Sequence, residues 1–185
     1  SQLDLLGDAV PAPDHGQGKR ARTTVAAGPV DHPTVRRTKA SELVLNAMGF
    51  LGVPYRRGGN NAETGFDCSG FTRHLFERSL GLVLPRRASE QANMPGMIPV
   101  AQTELKPGDL VFFNTLRNTF SHVGIYIGDN KFIHSPRTGT TVRIEDMRVG
   151  YWQQRFDGAR RLPTLAKTGL PAALTQAARN HTAST

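Results

Sequence analysis

Cysteine is nearly missing from this 185-residue chain; Cys68 stands alone, so no intrachain disulfide can form. Long apolar runs are missing too. None approaches the ~20 residues that cross a bilayer, so no integral membrane segment is expected. Aromatic residues make up 7% of the chain, and they are not interleaved with basic ones. With no recognition motif either, nucleic acid is not expected as a partner. Acidic residues are outnumbered, 15 against 23 Lys and Arg, for a net charge of +8. The excess is spread thinly, with no polybasic block. It suits a polyanionic partner such as nucleic acid, an anionic membrane or an acidic cell-wall polymer, or it is simply a solvated surface. A metal site is not expected, because one Cys and scattered His, without acidic ligands at the usual spacing, make a poor zinc set.

What is present reads as one globular domain with tails. Hydrophobic residues are 38% of the chain and glycines number 19, an ordinary balance for a packed core. Residues 1–39 contain four prolines and four glycines and lose apolar periodicity after Leu6, so they are expected to form a disordered or extended arm. The chain opens on Ser1 without a signal-peptide pattern, as a processed or excised chain would. Residues 163–185 read as a second tail, with at most a short helix over Ala172–Ala178 behind Pro171.

The core falls at 40–162. Thr38 or Ser41 can cap a helix reaching Leu51, with Leu43, Val44, Ala47, Met48 and Leu51 on one face. Gly52-Val53-Pro54 stops it, and a glycine-rich loop runs from Tyr55 to Gly65. A second helix is expected from Cys68 to Gly81 and a short third one from Ala88 to Asn93. The period then changes to two. Strands are expected at 109–113, 121–128, 131–135, 141–144 and 155–162. Helices followed by a run of strands predict an α+β domain with an antiparallel sheet of about five strands.

Three residues could carry nucleophilic chemistry. Cys68 lies at the start of a predicted helix, where the dipole lowers a thiol pKa by about one unit at most. A formed thiolate therefore needs an imidazolium beside it. His122 and His134 open and close two successive strands; His122 suits a base and His134 the group that orients it. A two-residue turn at Asp129-Asn130 would set the two rings on opposite faces. Only an odd loop or a bulge puts them on one face as diagonal neighbours. Asp67 reads as a helix N-cap or as a partner for a cationic group.

The order of motifs resembles the NlpC-type cell-wall endopeptidases, which are papain-like cysteine peptidases. The resemblance covers roughly residues 40–162. It rests on Tyr55-Arg56-Arg57-Gly58-Gly59, Phe66-Asp67-Cys68-Ser69-Gly70, Leu84-Pro85-Arg86 with Gln91, 105–113, Ser121–Gly128 and Phe132-Ile133-His134-Ser135. It implies a papain-like fold with Cys68 as nucleophile, His122 as base and His134 as the third polar residue. Tyr55 would border the site and help hold the oxyanion, while Asp67 and Ser69 would grip the stem peptide. The implied substrate is peptidoglycan, cut most often between D-glutamate and meso-diaminopimelate, or alternatively at the D-alanyl–diaminopimelate cross-link. No cofactor is implied, and the implied location is the periplasm, the cell envelope or the outside of the cell. A pre-formed ion pair would let iodoacetamide alkylate Cys68 well below the ordinary thiol pKa. Competing readings are an amidase or acyltransferase on a related fold, and a non-catalytic wall-binding module.

Overall fold

The computed structural model describes residues 38–166. The expected N-terminal arm, except residues 38–39, and the tail beyond residue 166, including the expected Ala172–Ala178 helix, lie outside the described residues. Along the chain come α1 (Lys39–Met48), β1 (Asn60–Asn61), β2 (Gly65–Phe66), α2 (Cys68–Leu80), α3 (Ala88–Ala92) and β3 (Ile98–Val100). They are followed by β4 (Leu110–Phe113), β5 (His122–Gly128), β6 (Lys131–His134), β7 (Arg143–Asp146), α4 (Gly150–Arg155), β8 (Phe156–Arg161) and α5 (Pro163–Ala166). The fold is α+β, as the sequence predicts.

The main sheet has six antiparallel strands in the order β3-β8-β4-β5-β6-β7, one more than expected. The extra strand, β3, carries Pro99 and lies at the edge, where a missing N–H costs no ladder bond. A two-stranded hairpin, β1–β2, forms inside the expected glycine-rich loop.

Period-two alternation divides the sheet between two cores. On one face Leu110, Phe112, Val123, Ile125 and Ile133 pack with Leu43, Ala47, Phe71, Leu75 and Phe76 of α1 and α2. On the other, Val111, Phe113, Tyr126 and Phe132 pack with Met147, Trp152 and Ala159. The central strand β4 is buried on both faces, which explains its unbroken apolar run.

Local chemistry sets the helix bounds. Thr38 caps α1 by accepting from the Ser41 N–H at 3.1 Å, and α1 ends at Met48, three residues before the expected stop. Gly81 ends α2 with φ 67°, a left-handed conformation that glycine adopts at little cost. Asp109, 1% exposed, accepts two hydrogen bonds of 2.8 Å from Arg161, locking β4 to β8. Apolar packing continues past residue 162. In α5, Leu165 is buried in the helix-side core, so apolar burial draws this turn of the expected tail into the fold.

Candidate active site

Cys68 is the first residue of α2, and Asp67 just before it does the capping. The Asp67 carboxylate accepts from the Gly70 N–H at 2.7 Å. Arg86 donates to both its oxygens, at 3.0 and 2.8 Å, and to the Ser69 hydroxyl at 3.0 Å. The cap is thereby held as a bidentate ion pair. A Cβ on Gly70 would lie 2.0 Å from the Gly59 carbonyl oxygen, so only glycine lets the β1 loop rest on the helix start. Buried Gln91 donates to the Ser69 and Pro85 carbonyls at 3.1 and 2.9 Å and accepts from Thr72 at 2.7 Å. Its work is to brace the helix start against the 84–86 segment. The Val123 backbone N–H bonds the Cys68 sulfur, which places the thiol at the head of β5, one residue from His122.

The two histidines share a face because of a bulge. Gly128 pairs with Lys131 around a two-residue turn, Asp129-Asn130, whose φ angles of 52° and 57° are those of a type I′ turn. The pairing then shifts to Tyr126 with Phe132 and Ile125 with Ile133. Ile127 is the extra residue. One step further along this register Gly124 lies opposite His134. A Cβ there would stand 3.2 Å from His134 Cβ and 2.8 Å from Phe132 Cδ2, so its absence leaves room for the ring. His122 Nε2 and His134 Nδ1 are 2.6 Å apart, and the rings are 4% and 0% exposed as residues.

Sequence reasoning missed the next member. His134 Nε2 hydrogen-bonds Glu145 Oε2, a residue on β7 that pairs with Phe132. Trp152 hydrogen-bonds the same carboxylate and stacks on His122 at 5.9 Å and 27°. Glu145 keeps its carboxyl ionised. Burial works against this, but hydrogen bonding and charge from His134, Arg143 and Trp152 outweigh it and lower the pKa. An ionised carboxylate only accepts, so His134 Nε2 carries the proton and Nδ1 accepts from His122 Nε2–H. The lone pair of His122 is left on Nδ1, as a base for the thiol requires.

The electrostatics differ from the expected ion pair. Burial is the main influence on the Cys68 thiol and pushes it up to about 11; hydrogen bonds from Val123 and Ser69 oppose it, and Asp67 adds to it. Burial, then His134, drives His122 well below its ordinary 6.5. Arg86 is spent on Asp67, so among the described residues no cation is found to lower the Cys68 thiol, and a helix terminus is worth too little to offset the burial. These influences favour a neutral thiol and a neutral imidazole. Tyr55 is half-buried, with its phenol raised by burial first and then by the charges of Cys68 and Asp67. His74 packs against Phe50 and Phe66 on the helix side and takes no part. Among the described residues no group of three or more His, Cys, Asp or Glu could hold a metal ion.

The sequence profile of the NlpC/P60 family matches residues 52–161. The chain belongs to the NlpC/P60 family. Murein DD-endopeptidase MepH of Escherichia coli is 44% identical over 128 residues, covering 68% of this chain and 47% of the relative. The gamma-DL-glutamyl hydrolase of Bacillus subtilis is 40% identical over 124 residues, covering 66% and 29%. An NlpC/P60 family protein from Bacillus cereus superimposes with a TM-score of 0.60 at 36% identity, covering 66% of this chain and 39% of that one. The chain spans about half the length of MepH. Within the NlpC/P60 match lie Cys68, His122, His134 and Glu145, together with Tyr55, Asp67 and Ser69.

Proposed function

We propose that this NlpC/P60 chain is a peptidoglycan hydrolase that cuts an amide bond of the stem peptide through an acyl-enzyme on Cys68. What supports the reading is a thiol at the head of α2 that is hydrogen-bonded by Val123, the residue after His122, together with the buried row His122–His134–Glu145. Cys68 S–H gives its proton to His122 Nδ1 as sulfur bonds to the amide carbon. The Cys68 N–H at the helix start, with the Tyr55 phenol, faces the oxyanion. Protonated His122 then donates to the leaving nitrogen as the C–N bond breaks. Water, deprotonated by His122, releases the acid and restores the thiol. The positive charge that passes through the two rings is balanced by Glu145. Tyr55, Asp67 and Ser69 are assigned to the acyl side of the stem peptide, with Asp67 held in place by Arg86. No cofactor enters this chemistry. The place of action is the cell envelope or the outside of the cell.

The likeness to a murein DD-endopeptidase supports the D-alanyl–diaminopimelate cross-link as the bond cut, ahead of the D-glutamyl–diaminopimelate bond that the motifs alone put first. The second bond is supported by the relative named a gamma-DL-glutamyl hydrolase. Mass spectrometry of muropeptides separates the two. Cross-link cleavage turns dimers into intact monomers, whereas D-glutamyl cleavage leaves disaccharide-dipeptides. Equal, absent turnover by the wild-type chain and Cys68→Ala would reduce the protein to a binding module.

A further inference from the structure

A cavity of about 380 Å³ opens beside His122, lined by that ring and by Trp152, Arg137, Arg143, Glu145 and Tyr151. Cys68, Tyr55, Asp67 and Arg86 do not line it. It is formed instead by the loop after β4, the loop after β6, β7 and α4. On the proposed reaction, the group that protonates the leaving nitrogen must come within about 3 Å of it. Whatever is attached to that nitrogen therefore lies against His122. The cavity beside this ring is where the amine half of the substrate has room.

Its charge identifies that half. Arg137 is exposed, and its hydrogen bonds to Thr140 are made by its backbone, not its guanidinium. Arg143 Nε lies 3.4 Å from Glu145 Oε2 but makes no hydrogen bond. Glu145 is committed inward to His134 and Trp152. Two guanidiniums thus line the cavity against one carboxylate, Glu145, which pairs with Arg143 and is also bonded to His134; the excess positive charge suits a carboxylate, which arginine recognises by paired N–H donors. The Trp152 and Tyr151 rings give the apolar wall that an aliphatic carbon chain needs.

We infer that this cavity is the amine-side subsite, and that Arg137 and Arg143 select a leaving diamino acid bearing a free carboxylate over its carboxamide. The inference rests on the hydrolase reading for its substrate class. Its test does not need turnover. Trp152 is the chain's single tryptophan and lies in the cavity wall, so its fluorescence reports occupancy. The full chain is titrated with meso-diaminopimelic acid and with the corresponding diamide, in wild type, Cys68→Ala, Arg137→Ala and Arg143→Ala. The expected result is a saturable response to the acid in wild type and Cys68→Ala. Binding should be about 10-fold weaker for the diamide, and about 10-fold weaker for the acid in each arginine variant. Because Arg137 is exposed, its variant keeps the fold and decides the matter should Arg143→Ala unfold. Equal responses to acid and diamide, no response to either, or a response indifferent to Arg137→Ala would overturn the inference. If muropeptides are still cut in a Cys68-dependent way while the acid is not preferred, the subsite fails and the hydrolase stands. If nothing is cut while acid-selective binding persists, the hydrolase fails and the carboxylate site stands.

Discussion

The two faces of the main sheet position their reactive groups by different means. On the helix side the nucleophile is placed largely through contacts to main chain: the Asp67 cap on the Gly70 N–H, the close approach of Gly59 to Gly70 and a strand N–H fix the first turn of α2 around Cys68. On the opposite face, once the bulge has set the register, the base is oriented by side-chain contacts. His122, His134 and Glu145 hold one another in a row walled by Phe132 and Trp152. Main-chain placement survives most substitutions nearby. A row of side chains depends on the register of three strands, and one misplaced ring breaks it.

The comparison can be broken from the side-chain face first. His122→Ala removes the base and should lower turnover of purified sacculi by about 10³-fold or more while the melting curve stays cooperative. Gly124→Ala puts a methyl against His134 and should cost about 10²-fold in turnover through the misplaced ring. Its iodoacetamide rate at Cys68 should be unchanged, because the helix face is untouched; a matched loss of both would show that the faces are not independent. Glu145→Gln offers His134 an amide that can donate, which permits the wrong tautomer. It should cost about 10-fold in kcat, with Glu145→Asp recovering part of it.

Two pH measurements sharpen the contrast further. His122 and His134 are buried with lowered pKa values, so the unfolded chain binds more protons below about pH 6.5. Stability is full above that pH and should fall as pH drops below it, seen as a declining melting temperature that is blunted in His122→Phe. For Cys68, pushed up to about 11, the alkylation rate should still be climbing above pH 9. A plateau reaching down to pH 6 would establish the thiolate–imidazolium pair that the motif order suggests.

Much of this was legible in the chain. Cys68 at a helix start follows from the Asp67 cap and the apolar spacing behind it. That the hairpin needs an odd loop or a bulge follows from requiring His122 and His134 on one face; that it is a bulge at Ile127 is settled by the structure. Glu145 was not legible, because its role depends on the pairing of β7 with β6. That strand was expected at 141–144 and lies at Arg143–Asp146, since Thr141 is drawn away to bridge Pro54. Strand β3 was hidden by Pro99, and α4, six residues long, by the absence of a full amphipathic period. The burial that opposes the ion pair was not legible for a different reason: burial is a property of the assembled fold, and no local motif reports it.

The extra residue at Ile127 sets a rule for how this hairpin can change length. Losing or gaining one residue between Tyr126 and Lys131 would turn the whole of β6 over, sending His134 into the helix-side core and Ile133 toward Trp152. Related chains that keep the chemistry should therefore differ here by even numbers of residues, or compensate an odd change with a second one before His134.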